Sequence, residues 1–308
     1  QAGKMEQRRN GAHGGDAVSD TSKGPAIRNI SDTARWVAYY RAMETERADA
    51  IFRDPYARKL AGTRGEEIVN TLRGGKRQSW AMIVRTALLD DMLLRVVASE
   101  RVDLVVNLAA GLDTRPYRLA LPASLSWIEI DLPEMIAYKT EMLGSESPHC
   151  RLERVALDLA DDAARREIFA RLDAGASRTL VITEGLLAYL SEQQVADLAR
   201  DLHQYQHFQY WLTDVASPKV KQMMEKHWGK ELRAAGAPIQ FAPAGGEEFF
   251  RPYGWEASEF RGFFQASREF NRPMPGDWMI RLWARLMPRH TAKMMKQWRS
   301  GATLLRRV

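Results

Sequence analysis

Five short apolar runs alternate with helical segments through the middle of the chain, and this alternation limits the possible folds more than any other feature. The runs cover residues 104–109, 126–131, 151–158, 179–184 and 208–215, and helical periodicity occupies residues 133–143, 161–173 and 191–204. Strands that alternate with helices build parallel βαβ units, because a parallel connection needs a crossover segment. The sequence therefore predicts an α/β fold with a doubly wound, mostly parallel sheet of the Rossmann-like type.

A turn glycine or an acidic residue stands at or just beyond the end of each of these predicted strands. They are Gly111, Asp131, Asp158, Glu184 and Asp214. In an open parallel sheet, ligands bind beyond the carboxyl ends of the strands. An aspartate at such a place is also a common helix N-cap, which explains any one of them equally well. The whole set together favours a binding site at this edge of the sheet.

The segment after the first predicted strand, NLAAGLDTR at residues 107–115, is typical of a nucleotide-cofactor turn. Gly111 lets the backbone approach a ligand, and the helix start beyond it offers free amides. Ala109 stands where the G-x-G-x-x-G signature has its first glycine. Asp131 follows Gly111 by 20 positions, and an acid there can accept hydrogen bonds from both hydroxyls of a ribose. These residues fit either a nicotinamide or an adenosylmethionine cofactor.

Composition and charge exclude some classes of protein. The chain has no apolar run of eighteen residues, so no transmembrane span is predicted. Cys150 is the single cysteine, which rules out an intrachain disulfide and favours a cytoplasmic location. The six histidines lack zinc-like spacing, so no metal is predicted. The net charge of +6 reflects basic residues concentrated between 281 and 307. Such charge is more often a solvated helix face than a nucleic-acid site.

Five segments of the chain are similar to known sequence motifs in the same order and spacing. They are SDTARWVAYYRAMETERADAIFRDPYARKLAG (31–62), NLAAGLDTRPYRL (107–119), IEIDLPEMIAYK (128–139), ALDLADD (156–162) and TEGLLAYLSEQQV (183–195). Together they resemble the leucine carboxyl methyltransferase family, in particular its bacterial S-adenosyl-L-methionine-dependent branch. The resemblance covers about residues 31–216. It implies a class I methyltransferase fold, an enzyme, and S-adenosyl-L-methionine as the cofactor.

The resemblance implies cofactor-binding roles for individual residues. Ala109 and Gly111 match the loop beside the cofactor, although the family usually has glycine where Ala109 stands. Asp131 matches the acid that binds the ribose. Asp158 and Leu159 match the pair that holds the adenine.

Further matches concern the methionine end of the cofactor and the reaction centre. Arg85, followed by Thr86, matches the arginine that holds the methionine carboxylate, a task suited to a bidentate guanidinium. Glu184 matches the acid beside the methionine moiety, and we predict a catalytic role for it as well. Tyr39 is a second catalytic candidate, because an aromatic ring attracts a sulfonium by a cation–π interaction. The same argument applies to Trp36, Tyr40 and Trp211, although such residues are more often part of a core.

The predicted domain organisation is a disordered leader at residues 1–27 and one methyltransferase domain at residues 28–308. Within that domain, we expect a helical lid at 28–99 that begins with Ser31 or Asp32 as its cap, and a cofactor-binding core at 100–216. Residues 217–300 are expected to form a helical insertion on the substrate side. Residues 301–308 are predicted to return as the last, edge strand.

The leading functional hypothesis is an O-methyltransferase of specialised metabolism that acts on a carboxylate, or on a phenolic or alcohol oxygen, of a small molecule. A carboxylate is already ionised at neutral pH, whereas a phenol or alcohol needs a general base, for which Glu184, Asp214 and His203 are candidates. Three alternatives remain: a protein C-terminal carboxyl methyltransferase, a non-catalytic basic protein that binds nucleic acid or membrane, and a nicotinamide oxidoreductase. The last lacks a Ser/Tyr/Lys set after the fourth strand. No feature of the sequence predicts an oligomeric state.

Overall fold

The computed structural model describes residues 26–308. The predicted leader, residues 1–27, therefore lies outside the described residues except for its last two. Ile27 is fully buried among the N-terminal helices. The carbonyl of Ala26 accepts a hydrogen bond from Nη2 of Arg64 at 2.9 Å. The packed N-terminal region thus starts before residue 28.

The described residues form seven strands and the helices that cover them. The strands are β1 Leu104–Leu108, β2 Ser126–Asp131, β3 Arg151–Ala156, β4 Thr179–Thr183, β5 Phe208–Ala216, β6 Trp255–Gly262 and β7 Ser300–Arg307. The α-helices are α1 Ile30–Thr45, α2 Ala57–Thr71, α3 Ser79–Ser99, α4 Arg115–Arg118, α5 Pro133–Leu143, α6 Asp162–Ala174, α7 Glu192–His203, α8 Pro218–Ala234, α9 Phe263–Glu269, α10 Asp277–Leu286 and α11 Pro288–Gln297. Short 3₁₀ helices cover Lys76–Gln78, Leu187–Tyr189 and Gly246–Tyr253. No helix in the described range is both long and apolar enough to cross a bilayer.

The seven strands lie in one sheet in the order β3-β2-β1-β4-β5-β7-β6. Strands β1 to β5 pair in parallel, and β7 runs antiparallel to both of its neighbours. The predicted mostly parallel, doubly wound sheet is confirmed. The strand order reverses between β1 and β4, whose residues Asn107 and Ile182 are direct partners. This is the switch point at which such sheets form a ligand crevice.

Successive residues of β1 pack into different layers, because side chains alternate across a strand. Val105 belongs to the cluster formed with Leu88 and Met92 of α3 on one face of the sheet. Leu104 and Val106 belong to the opposite cluster, which α6 and α7 cover. Since both faces are covered, β1 is apolar over almost its whole length.

The N-terminal helices divide into two parts. Helix α3 packs on the sheet as part of its covering layer, whereas α1 and α2 pack on each other in a separate cluster. The cap of α1 is Asn29, whose side chain accepts from the amide of Asp32 at 3.1 Å; the expected cap at Ser31 or Asp32 was wrong. Asp32 instead pairs with Arg64 at 2.6 Å.

The C-terminal strand differs from its expected position. Strand β7 is not at the edge but lies between β5 and β6. Strand β6, within the insertion expected to be helical, is the edge strand on that side. Its ladder with β7 contains an irregularity between Ala257 and Glu259, which interrupts the period-two pattern by which a strand is recognised in a sequence.

Candidate active site

The loop after β1 crosses the end of the sheet in a left-handed conformation. Ala109 has φ of +51° and Gly111 has φ of +49°. The carboxylate of Asp131, at the end of β2, accepts the amide of Gly111 at 2.6 Å and the amide of Leu132 at 2.7 Å. Burial raises the pKa of Asp131. Asp131 therefore ties the β1 loop to β2, and each of its oxygens keeps a lone pair for a further donor.

Arg85 of α3 lies between the acids that follow β4 and end β5. Its Nε donates to Oε1 of Glu184 at 3.0 Å, and its Nη1 donates to Oδ2 of Asp214 at 3.4 Å. Gly185 has φ of +70° and allows this arrangement, because a Cβ there would lie 3.2 Å from Nη1. Nη2 of Arg85 has no acceptor among residues 26–308. The guanidinium thus keeps the two N–H groups of Nη2 for a ligand.

Arg115 is buried behind this group and contacts three carboxylates. Its nitrogens lie 2.7 Å from Asp90, 2.8 Å from Asp113 and 2.7 Å from Glu184. Burial acts to raise the pKa of Glu184, but the guanidinium groups of Arg115 and Arg85 hold that pKa below its ordinary value. Glu184 is therefore ionised and is a weak base. No role for Arg115 is predicted from the sequence, although the string DTR in the β1 loop contains it.

A continuation of the same charge network joins the N-terminal helices to the β1 loop. Arg118 pairs with Asp90 at 2.6 Å. Asp54, between α1 and α2, accepts from Nε of Arg41 at 2.8 Å and from the hydroxyl of Thr114 at 2.7 Å. Arg41 thus joins α1 both to Asp54 and, through Nη2, to the carbonyl of Leu112 in the β1 loop.

Asp158 and Leu159, which follow β3, line the same cavity as Gly111, Asp131 and Arg85. Oδ1 of Asp158 accepts the amide of Ala160 at 2.9 Å. The structure therefore brings together every predicted cofactor-binding residue, from the β1 loop to α3 and the end of β4. Ala109 and Glu184 also line this cavity.

The cavity has a volume of about 1380 Å³ and extends from the strand ends to the C-terminal helices. Its wall away from the acids is mostly aromatic and sulfur-containing. The residues of that wall include Trp36, Tyr40, Met223, Met224, His227, Trp228, Phe263, Phe264, Met279, Trp283, Met294, Met295 and Trp298. The 217–300 segment, together with Trp36 and Tyr40 of α1, therefore forms an apolar compartment beside the charged one.

Several candidates lie elsewhere. The hydroxyl of Tyr39 donates to Glu66 at 2.9 Å, and Tyr39 does not line the cavity, so its predicted catalytic role has no support in this geometry. The reason is the periodicity of α1, which turns Tyr40 toward the cavity and the preceding residue away. Trp211 packs in the core of the sheet, and His203 contacts the carbonyl of Val308 at 3.2 Å.

Two other side chains line the cavity: Tyr189, whose place one turn beyond Glu184 indicates the same cleft, and His227, which was not predicted as a site residue. His227 of α8 lies in the segment that matched no motif, and its Nδ1 is 2.8 Å from the carbonyl of Met223. Tyr189 follows Glu184 by one helical turn, and burial raises the pKa of its hydroxyl. Only the Tyr189 position had a signal in the sequence, its place within the TEGLLAYL motif.

Comparison with known proteins places the chain in a family. The family model for leucine carboxyl methyltransferase matches residues 34–203. The chain belongs to the leucine carboxyl methyltransferase family. A relative of this methyltransferase from Frankia alni is 30% identical over 283 residues, covering 84% of this chain and 94% of the relative. A second, from a Parafrankia species, is 32% identical over 274 residues, covering 80% of this chain and 83% of the relative. Both carry the provisional name of S-adenosyl-L-methionine-dependent methyltransferase.

Two solved structures are similar to this methyltransferase in fold. A DUF574 family protein from Streptomyces avermitilis has a TM-score of 0.56 at 12% identity, covering 90% of this chain and 97% of that chain. A methyltransferase structure from Thermobifida fusca, also provisionally named, has a TM-score of 0.51 at 14% identity, covering 95% and 99%. At these identities the likeness concerns the fold alone.

This methyltransferase is thus an enzyme that depends on S-adenosyl-L-methionine, and the residues of the crevice fit that cofactor. Nη2 of Arg85 is an unused donor suited to a carboxylate. Asp131 offers free lone pairs at the place expected for a ribose. Within residues 26–308, no group of three His, Cys, Asp or Glu residues is arranged to hold a metal ion.

Proposed function

We propose that this enzyme methylates an oxygen atom of an apolar small molecule, with a carboxylate as the preferred acceptor. The observation that carries this proposal is the state of Glu184. Arg85 and Arg115 bind both of its oxygens and lower its pKa, so it is a poor general base. An acceptor that is ionised at neutral pH needs no base. The name of the matching family also specifies a carboxyl acceptor.

We further propose how the chain holds its cofactor. S-adenosyl-L-methionine supplies an electrophilic methyl group when it is bound. Nη2 of Arg85 would donate to its carboxylate, and Asp131 would accept from its ribose hydroxyls. Asp158 and Leu159 would contact the adenine. Ala109 and Gly111 would bring the loop backbone close to the ligand.

Glu184 and Asp214 would stabilise positive charge at the reaction centre rather than transfer protons. Both carboxylates contact Arg85, so they would lie beside the methionine part of the cofactor and would attract its sulfonium. Their ion pairs with Arg85 hold them in place before the ligand binds. Methyl transfer is an in-line displacement, so alignment of the two reactants and exclusion of water are the main tasks left to the protein.

The size and lining of the cavity support an apolar acceptor. A pocket for one small ligand usually has a volume of about 300–1,000 Å³, whereas this cavity has about 1380 Å³. The difference leaves room for a second molecule beside the cofactor. Trp36 and Trp228 meet edge to face at 5.1 Å in this region, and such rings favour flat or apolar ligands.

A second candidate function is methylation of a phenol, and His227 supports it. A carbonyl only accepts hydrogen bonds, so the contact with Met223 places the proton on Nδ1 of His227. Nε2 is then an acceptor that could remove a proton from a phenolic hydroxyl.

The experiment combines methyl-labelled cofactor with a panel of apolar carboxylates and phenols from specialised metabolism, followed by mass spectrometry. With a carboxylate acceptor, we expect a rate that changes little between about pH 6 and 8 and that His227→Gln preserves. A rate that rises with pH and is lost in His227→Gln would favour the phenol. Absence of binding to S-adenosylhomocysteine in calorimetry would contradict the methyltransferase assignment itself.

Methylation of a protein C-terminal carboxylate is tested in the same assay. Peptides that end in a free leucine carboxylate are added beside the small carboxylates. We expect the small molecules to be labelled and the peptides not, because the aromatic and sulfur-containing side chains that line the acceptor compartment offer few partners for the polar backbone of a peptide. Labelling of peptides alone would replace the small-molecule proposal.

A further inference from the structure

Helices α10 and α11 form a hairpin whose outer surface is apolar. On α10, Trp278, Leu282 and Leu286 are spaced four residues apart, which places them along one side of the helix. Their exposed fractions are 67%, 47% and 69%. Contiguous large apolar side chains rarely face water on a soluble surface without a binding role. We call these three residues the apolar ridge.

The neighbouring side of the same hairpin forms part of the cavity wall, where Met279 and Trp283 remain 48% and 46% exposed. Met279 and Trp283 of α10 line the cavity, as do Met294 and Met295 of α11. Each of the first two residues is next in sequence to a ridge residue, so the ridge lies beside the cavity wall rather than on the opposite side of the helix. The hairpin is therefore apolar both toward the cavity and toward the outside.

Exposed basic side chains lie on both helices of the hairpin. They are Arg281 and Arg285 on α10, and Arg289, Lys293 and Lys296 on α11. None of them pairs with an acid in the described range 26–308. The acid of the hairpin, Asp277, is held by Arg268 at 2.6 Å. In contrast, many arginines in the described residues before the hairpin are paired with acids. The hairpin thus presents unneutralised positive charge beside exposed apolar groups.

We propose that the α10–α11 hairpin binds the enzyme to the surface of an anionic lipid bilayer. The ridge would enter the interface between headgroups and acyl chains, where tryptophan is especially stable. The five cations would reach the lipid phosphates with their long side chains. Apolar burial and charge attraction are both satisfied in this arrangement.

Other partners would either bury the apolar ridge or neutralise the cations, but not both. Nucleic acid would neutralise the cations, but its phosphates would leave Trp278, Leu282 and Leu286 in water. A second copy of the chain would bury the ridge, but it would bring five like charges against five. The bilayer is therefore the partner that the chemistry of the hairpin favours.

Binding in this way would place the cavity wall formed by Met279 and Trp283 next to the bilayer. An acceptor that partitions into lipid, such as a long-chain carboxylic acid, could then enter the cavity without crossing water. This consequence rests on the proposed function, whereas the binding of the hairpin to lipid does not.

The experiment is flotation of the full chain with phosphatidylcholine vesicles, with and without about one third phosphatidylglycerol. We expect the protein to float with the anionic vesicles only. The triple variant Arg289→Ser, Lys293→Ser, Lys296→Ser should bind about a hundredfold more weakly, because each cation near an anionic surface contributes about fivefold. The double variant Leu282→Ser, Leu286→Ser should also lose binding, although its charge is unchanged.

A matched control removes three exposed cations elsewhere, by Lys59→Ser, Arg101→Ser and Lys230→Ser, and should float like the wild type. Calorimetry with S-adenosylhomocysteine is run on every variant, so that loss of lipid binding is separated from loss of the fold or of the methyltransferase site. Equal flotation of the wild type and the triple variant would overturn the proposal. So would tighter retention on an RNA oligomer than on vesicles, or a stable dimer dissociated by the ridge variant.

Discussion

Ala109, beside the candidate site, adopts a backbone conformation that is unfavourable for alanine. Its φ of +51° belongs to the left-handed region, which costs an L-residue about 1–2 kcal/mol. Strain of this kind persists where the surroundings impose it, often beside a ligand site. Here the loop is held on the next strand, because Asp131 binds the amide of Gly111.

We predict that Ala109→Gly does not destabilise the protein and raises its free energy of unfolding by up to about 1 kcal/mol. The removed strain exceeds the entropy that glycine adds to the unfolded chain. The control is Ala170→Gly, on the exposed side of α6, which should lower the free energy by about 1 kcal/mol. Urea unfolding measures both. Equal losses in the two variants would mean that Ala109 is not strained.

A second prediction at this scale concerns Asp131. Asp131→Asn keeps the shape of the side chain but removes its charge and one acceptor, so we expect the Kd for S-adenosylhomocysteine to rise about 10- to 100-fold, in line with the loss of a charged hydrogen bond. Glu134→Gln, an exposed acid in the first turn of α5, is the control and should leave the Kd unchanged. Calorimetry gives both values. Unchanged affinity in Asp131→Asn would place the ribose elsewhere.

At the scale of elements, buried ion pairs join α1, α3 and the β1 loop. Arginine side chains hold the pKa values of Asp54, Asp113 and Glu184 below their ordinary range against the effect of burial. A carboxyl with a lowered pKa in the folded state stabilises the fold above its unfolded pKa, and this stability is lost as the pH falls. Asp131 and Asp214, whose pKa values burial raises, contribute in the opposite direction.

We predict that Arg115→Lys lowers the free energy of unfolding by about 2–4 kcal/mol at neutral pH, because one ammonium cannot replace a guanidinium that contacts three acids. The difference from the wild type should shrink as the pH falls from about 4, the ordinary carboxyl pKa, toward 2, since protonation of these carboxyls in the folded wild type removes the same interactions. Urea unfolding across this range measures it.

The control for that series is Arg171→Lys, which changes a surface pair with Glu153. An exposed pair contributes at most about 1 kcal/mol, so this variant should follow the wild type at every pH. A gap between Arg115→Lys and the wild type that stayed constant with pH would show that the ion pairs do not stabilise the fold.

At the scale of the whole molecule, the last residues of the described chain complete the sheet. Strand β7 lies between β5 and β6, and Leu305 is fully buried in the cluster that also holds Trp211 and Trp255. We predict that Leu305→Ala lowers the free energy of unfolding by about 2–5 kcal/mol, through lost burial and a new cavity. Val308→Ala, at a residue that is 66% exposed, should change it by less than about 0.5 kcal/mol. Urea unfolding compares them, and similar values would indicate that β7 contributes little.

The sequence by itself determined the parallel sheet with its covering helices, and the glycine and acidic residues at the strand ends. The periodicity of apolar residues and the positions of turn residues are local properties, so the alternating strands and helices could be predicted from the sequence. Gly111 and Asp131 could be paired because a single βα unit separates them, and parallel pairing brings their strand ends together. The same reasoning located Asp158 and Glu184 at one edge of the sheet.

Only the tertiary structure decided which side chains meet across long stretches of chain. Arg115 reaches Glu184 across 69 positions, and Arg85 reaches Asp214 across 129, so no local pattern records either contact. The place of β7 inside the sheet depends on its pairing with β5 and β6, and the turn of α1 decided that Tyr40 rather than Tyr39 lines the cavity. Local periodicity specifies elements, but the free energy of burial and of ion pairing is realised only when distant elements pack.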